Sequence, residues 1–517
     1  MNAIEIIRKR LEAAASKDYR TNNINNMGGP KMKTNTLHRI LSLTVILAFL
    51  AGCGSSNGGG GGYGVIPFSV DTQTVVAPEG DDSNDFTGVA EPAPEPKQWS
   101  SVEVFNSGIG EMAHEQHVAA DDSGNAVVVW LENVDGTDAV MSNRFAAGFG
   151  WQGITRLDTP GGGSAAGLSI AAGCNGHAVA VWHKLSGSGS TTYAEVLSPG
   201  EGWGEEIILS SGGFNPSVSM DSVGNAIVIW QNRNGATYDI LAAHYSITTG
   251  WSEIALLENN SGTAANASVA FLSSGDAVAV WQQYINWNYS IVASQYDAAA
   301  GQWAEPVLLE SDDYGRAMYP VLSASKTNDK AMVAWNHDIG TNDTVMASIY
   351  DPAYGWSDPY DVATGETGDS YDADLSFDSN GNAIVVWYNY DGSRGDSIMS
   401  AYFDAASGWG APGVIVSGGD YEYLYYPKVR FTPAGMALAV WNRYEGEHTG
   451  VMMAWFDAAN GWSTPETVGL PFCECGEIHE AYEPELVSDC AGNVTLTWIT
   501  ECYNCECRSR VNVQRYE

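Results

Sequence analysis

The sequence predicts an all-β fold, an eight-bladed β-propeller of four-stranded antiparallel blades, and three observations carry that expectation. Sixteen of the eighteen tryptophans fall into two interleaved series with a period near 52 residues. Each period holds four strand-like segments separated by turn residues. The two ends of the repeating region read as complementary parts of a single blade. High glycine (58 residues) and only 16% charged residues suit strands and turns better than helices.

In chain order, the first feature is an address. Leu41 to Ala51 is the only long apolar run, preceded by Lys31, Lys33, His38 and Arg39. It falls well short of the roughly 20 residues that span a bilayer. A basic flank, a short apolar stretch and small residues describe a secretory signal, with Met32 the expected true start. The run closes with Leu50-Ala51-Gly52-Cys53, which resembles a bacterial lipobox. The resemblance implies that Cys53 is lipidated and becomes the mature N-terminus. Each buried CH₂ of an acyl chain contributes about 0.8 kcal/mol, so several chains anchor stably. Gly54 stands where an aspartate would signal inner-membrane retention, so the resemblance implies a cell-envelope, outer-membrane address.

Residues 1–53 are therefore read as the signal region. Residues 54–98, Gly/Ser-rich and then rich in Asp, Glu and Pro, read as a flexible tether reaching roughly 35–40 Å. Without residues 1–53 the chain holds 15 Lys+Arg against 59 Asp+Glu, a net charge of −44. Such acidity excludes generic nucleic-acid binding and repels anionic headgroups, leaving the lipid as the membrane contact.

Residues 99–517 hold the repeats. One tryptophan series (Trp99, Trp151, Trp203, Trp251, Trp303, Trp356, Trp409, Trp462) opens segments of the form G-W-x-x-P-x-x-L. The other (Trp130, Trp182, Trp230, Trp281, Trp335, Trp387, Trp441, Trp498) closes segments of the form G-N-A-x-V-V-W. In the third unit the strands read as Pro216 to Asp221, Asn225 to Trp230, Ile240 to Tyr245 and the G-W segment, with a polar loop between the second and third. A D-x-x-G-N turn begins at Asp121, Asp221, Asp378 and Asp489. Asp can bond the backbone two residues on and Gly accepts positive φ, so this is hairpin chemistry. Calcium binding by these aspartates is the lesser alternative, because the run is too short for an EF-hand-like loop. Trp99 to Phe105 has the form of a fourth strand and Val511 to Tyr516 that of a third. Together they would close the ring in the last blade and cover an exposed edge.

The D-x-x-G-N-A-x-V-V-W pattern resembles short bacterial propeller repeats, and the resemblance implies the fold but no particular activity. The tryptophan is followed by Leu, His, Gln, Gln, Asn, Tyr, Asn and Ile, so the Trp-Asp pair of WD40 repeats is missing. The sialidase box and its arginine cluster are missing too. The tryptophans themselves read as core. His114 and His117 flank Glu115 without zinc-protease spacing and are expected in a solvated loop. No catalytic residue, metal or cofactor is assigned.

Six cysteines crowd the last unit: Cys473, Cys475, Cys490, Cys502, Cys505 and Cys507. In an exported protein these are disulfide candidates ahead of a thiolate metal site. The candidate ligand surface is aromatic. Tyr284, Trp287 and Tyr289 in unit four, Tyr388 and Tyr390 in unit six, and Tyr421, Tyr423, Tyr425, Tyr426 and Tyr444 in unit seven are expected in loops of one face, among acidic residues. The alternative is that they pack those loops against one another. The first reading of function is a non-enzymatic binding or scaffold lipoprotein for a glycan or an envelope protein. A carbohydrate-active lyase or glycosidase and an envelope assembly factor are the alternatives.

Overall fold

A computed structural model describes residues 97–517 apart from 106, 111, 188, 259–261, 311–314, 393–394, 420–421, 446–447, 469–479 and 502–508. The signal region with Cys53, most of the tether, and Tyr421, Cys473, Cys475, Cys502, Cys505 and Cys507 lie outside the described residues. The rest is eight antiparallel sheets in which four strand positions follow chain order, and among the described residues no helix occurs. The innermost strands are Ala113–Ala120, Ser164–Ala172, Gly213–Met220, Ala264–Phe271, Ala317–Ala324, Asp369–Phe377, Glu422–Phe431 and Glu480–Ser488. Each touches the innermost strand of both neighbouring blades, and the last touches the first, so the ring is closed around a central channel.

Closure is made as the two ends of the repeat region anticipate. Glu103–Phe105 pairs antiparallel with Arg510–Tyr516 in the eighth blade (Glu103 opposite Val513, Phe105 opposite Val511). Gln98 and Glu517 exchange backbone bonds of 3.0 and 3.1 Å. Trp99 packs on Tyr516 at 5.4 Å, the contact that Trp251 makes with Tyr245 and Trp462 with Phe456 inside single blades.

The second strand of every blade ends its G-N-A-x-V-V-W run with a tryptophan at most 1% exposed, which places the whole inner series in the core. Burying some 150–250 Å² per ring makes this series the main apolar filling between blades. The D-x-x-G-N turns are self-contained. Asp121 Oδ1 accepts the N–H groups of Ser123 and Asn125 at 2.9 Å, and its Oδ2 accepts Asn125 Nδ2 at 2.7 Å. Asp221 and Asp378 repeat that set, and Asp489 keeps both bonds to Asn493. Asn125 and Asn382 then accept the N–H of Ala147 and Ala405 at 2.9 Å, tying this turn to the one that leads to the outer strand.

Two expectations change. The second strand does not stop at the tryptophan and the third begins before Ile240; the two meet in tight hairpins, with Val134 opposite Thr137, Asn234 opposite Thr237 and Ile285 opposite Asn288. In the third blade the ladder passes through the polar Gln231, Asn232, Arg233 and Asn234, each opposite a residue of Thr237 to Ile240. The outer strand, in turn, is split in blades two to seven, as in Gln302–Trp303 and Val307–Leu308. There Pro306 lacks the N–H that would carry the ladder through.

Candidate functional site

Every innermost strand carries a β-bulge near the end by which it enters its blade. The register shifts between His114 and His117 in the first blade, and at the equivalent place in the other seven. At each bulge one residue has left-handed φ: Glu115, Gly167, Asn215, Asn266, Tyr319, Asp372, Tyr426 and Glu483, all between +50° and +60°. Glycine and asparagine accept this conformation cheaply; a tyrosine there is an outlier. These eight residues form the rim of the channel, and bulges are places where strands re-aim side chains.

The rim is braced by the residue after the core tryptophan. Asn442 Oδ1 accepts the Glu483 N–H at 3.1 Å, and Gln282 Oε1 accepts the Tyr319 N–H at 3.0 Å. His183 Nδ1 accepts the Asn215 N–H at 3.4 Å. Each of these bonds crosses from one blade to the next. Sequence reasoning noticed these residues only as departures from a Trp-Asp pair. Their polarity beside a core tryptophan was the signal that could have found the bulges.

The rim is not uniform. Going round from the sixth blade to the first, the bulged residue and the one before it are Tyr371-Asp372, Tyr425-Tyr426, Tyr482-Glu483 and His114-Glu115. The second to fourth blades have Ala166-Gly167, Phe214-Asn215 and Ala265-Asn266. Within the first sector Glu115 Oε1 accepts the Leu168 N–H at 2.6 Å. Burial nonetheless pushes the Glu115 carboxyl up to about 7, with Glu483 and Asp138 adding to the shift. Glu483 is raised as well, chiefly by burial. Burial works against a charged His114, but its pairing with Asp138, 3.3 Å away, outweighs this and raises it. That pairing also overcomes burial at Asp138 and holds it at about 2. Burial raises Tyr425 to about 12 and lifts Tyr426 and Tyr482 too, so all three hydroxyls stay neutral donors. His114 and His117 are thus not in a solvated loop. They sit on the first blade's innermost strand, and burial lowers His117.

Among the described aromatic candidates the structure places all but Trp287 on strands and not in loops. Tyr284 and Tyr289 face each other across the hairpin of the fourth blade at 5.2 Å. Trp287 tips that hairpin, 90% exposed and at φ 72°, where the first blade uses Gly136. Tyr388 is buried and donates to Asp396 Oδ1 at 2.9 Å, and Tyr390 is half-buried on the same strand. Tyr423 is exposed and meets Tyr444 at 5.9 Å, while Tyr425 and Tyr426 lie edge to face at 5.1 Å. Six of the candidates therefore form three contacting pairs, and Tyr371 and Tyr482 join the sector unforeseen.

Among the cysteines, Cys490 departs from expectation. It lies in the turn between the eighth blade's first two strands, at the opposite end of Val494–Glu501 from the second hairpin loop, and its thiol is free. Cys174 is also free, and burial raises both thiols.

No family model matches the chain, and no curated protein does. Solved structures similar to it include an ulvan lyase of polysaccharide lyase family 25 (8% identity, covering 71% of this chain and 95% of that one, TM-score 0.43). A fungal alcohol oxidase of the AA5 family, in complex with copper, is 14% identical (82% and 76% covered, TM-score 0.41). A sialidase from Streptococcus pneumoniae is 8% identical (82% and 95% covered, TM-score 0.36). At these identities and scores the likeness bears on neither substrate nor chemistry.

Proposed function

We propose that this chain is an envelope lipoprotein, anchored through Cys53, whose propeller binds a glycan lacking acidic groups over the rim sector of blades six to eight and one. The observation that carries the reading is the sector's composition. Flat rings with polar tips stand beside carboxylates, and Asp372, Tyr426, Glu483 and Glu115 occupy left-handed backbone positions that glycine or asparagine would take more cheaply. Tyrosine suits the apolar face and hydroxyl edge of a sugar. The carboxylates and a net charge of −44 outside the signal region disfavour uronates and sulfated chains. The test is binding of the mature chain to neutral, amine-bearing and uronate-bearing polysaccharides, with Tyr423→Ala alongside. Selective retention of uronates, or unchanged binding by the variant, defeats the proposal. Fatty-acid labelling that persists in Cys53→Ser defeats the anchor.

A second reading rests on Glu115. A carboxyl that keeps its proton to about pH 7 can protonate a leaving group at neutral pH, with Glu483 close enough to influence it. Glycan cleavage that Glu115→Gln abolishes while binding persists would establish an enzyme instead of a binding protein.

A further inference from the structure

One interblade socket recurs three times with different contents. Leu157, Leu257 and Leu309 each donate their N–H to the third strand of their own blade, to Val140, Ile240 and Ile291 at 2.8, 2.9 and 2.9 Å. The residues that follow, Asp158, Glu258 and Glu310, are therefore equivalent, and all three are buried. Facing them from the next blade stands the second residue after its core tryptophan: Lys184, Gln283 and His337.

Between blades one and two the socket is filled by the chain itself. The buried Lys184 ammonium lies 3.6 Å from Asp158 and 2.5 Å from Glu206, donates to the Thr159 carbonyl at 3.0 Å and sits 4.7 Å above the Tyr193 ring. Between blades four and five, His337 Nδ1 stands 3.3 Å from Glu310 Oε2.

Between blades three and four the cation is replaced by an amide that is already engaged. Gln283 donates to the Gly262 carbonyl and accepts from Trp281 Nε1, both at 2.8 Å. Glu258 is only 7% exposed and its Oε2 accepts no hydrogen bond. Where blade two has Tyr193 and Glu206, blade four has the smaller Val292 and Pro306. The outcome is a cavity of about 170 Å³ lined by Glu258, Trp281, Gln283, Ile285, Val292 and Pro306, among others. Burial and the neighbouring Asp239 raise the Glu258 carboxyl to about 8, with Gln283 pulling the other way, so a cation set against the open Oε2 would favour loss of that proton. A cavity of about 150 Å³ is large enough to hold benzene.

We propose that this socket binds a primary alkylammonium group supplied by a ligand, with its carbon stem on Ile285, Val292 and Pro306 and its nitrogen against Glu258. The ligand's ammonium takes the place that the Lys184 ammonium takes one socket away. A slender stem of four or five carbons falls within the cavity's volume of about 170 Å³.

The test uses the mature chain with n-butylamine as the probe and 1-butanol as its uncharged isostere, read by calorimetry and by Tm. Butylammonium should bind and raise Tm, with 1-butanol at least tenfold weaker. Glu258→Gln, matched in size, should lose at least tenfold. Gln283→Lys gives blade four the residue of blade two and should abolish binding while raising Tm on its own. Failure of wild type to bind the amine, or equal binding by wild type and both variants, overturns the proposal. Tyr423→Ala should leave amine binding intact, so this site stands or falls separately from the rim.

Discussion

The rim sector of blades two to four and the sector of blades six to eight and one share a backbone but not a surface. Both make the same bulge, the same left-handed residue and the same buried tryptophan behind it. Blades two to four make the bend with Gly167, Asn215 and Asn266, residues that tolerate it. The opposite sector uses Asp372, Tyr426, Glu483 and Glu115, the bulkier of which cost on the order of 1 kcal/mol each in that conformation. Closing the ring demands the bend and is indifferent to the side chain. The tyrosines and carboxylates are therefore additions to a scaffold that does not need them, and strain kept without structural need points to a contact surface.

Trp230→Ala and Trp441→Ala, one in each sector, should each destabilise by about 3–5 kcal/mol in urea unfolding, because both empty the same core position. A clear difference between them would mean that the two sectors do not share one scaffold. Asp221→Ala and Asp378→Ala remove equivalent turn carboxylates and should each cost about 1–3 kcal/mol, again equally. Tyr423→Ala should separate the sectors: a loss of about 1–2 kcal/mol in glycan binding. Its stability should stay within about 0.5 kcal/mol. Leu185→Ala, at an exposed position on the second blade, should change neither. The subtlest effect is one of pH. Burial makes folded Glu115 hold its proton to about 7, against an ordinary value of 4.5. Its contribution to stability is therefore complete below about pH 4.5, falls as pH rises to 7 and is flat above. Glu115→Gln should flatten that part of the stability–pH profile. A slope of the same sign from His114, raised by Asp138, should remain.

The sequence disclosed whatever repeats. The tryptophan series, the Asp-turn and the complementary ends are patterns in residue type, and each maps onto a contact made eight, four or one times. Three things were hidden because they depend on neighbours. The bulge at Asn215 or Tyr426 is a departure from strand alternation that no single residue type announces. The hairpin at Asn286-Trp287 lacks the glycine that marks a turn, so Tyr284 and Tyr289 read as loop residues. The socket at Glu258 exists only by comparison with Lys184, a residue 74 positions earlier in the chain, and its emptiness is a matter of volume.

The way the ring is closed also sets how the molecule takes load. Gln98 to Phe105 joins the propeller as the outermost strand of the eighth blade, beside Arg510–Tyr516. Pull on that strand and the force falls on a short seam. First come the Lys97 bonds to Ala491 and Asn493, then the Gln98–Glu517 exchange, then Ser100 on Arg515, and last the pairs from Glu103 to Phe105. A pull across the strand would break these one after another, as in a zipper, whereas a pull along it would load them together. Under the first kind of pull, a propeller gripping a large, moving partner would yield at this seam before any other blade is disturbed, and could re-form it when the tension drops.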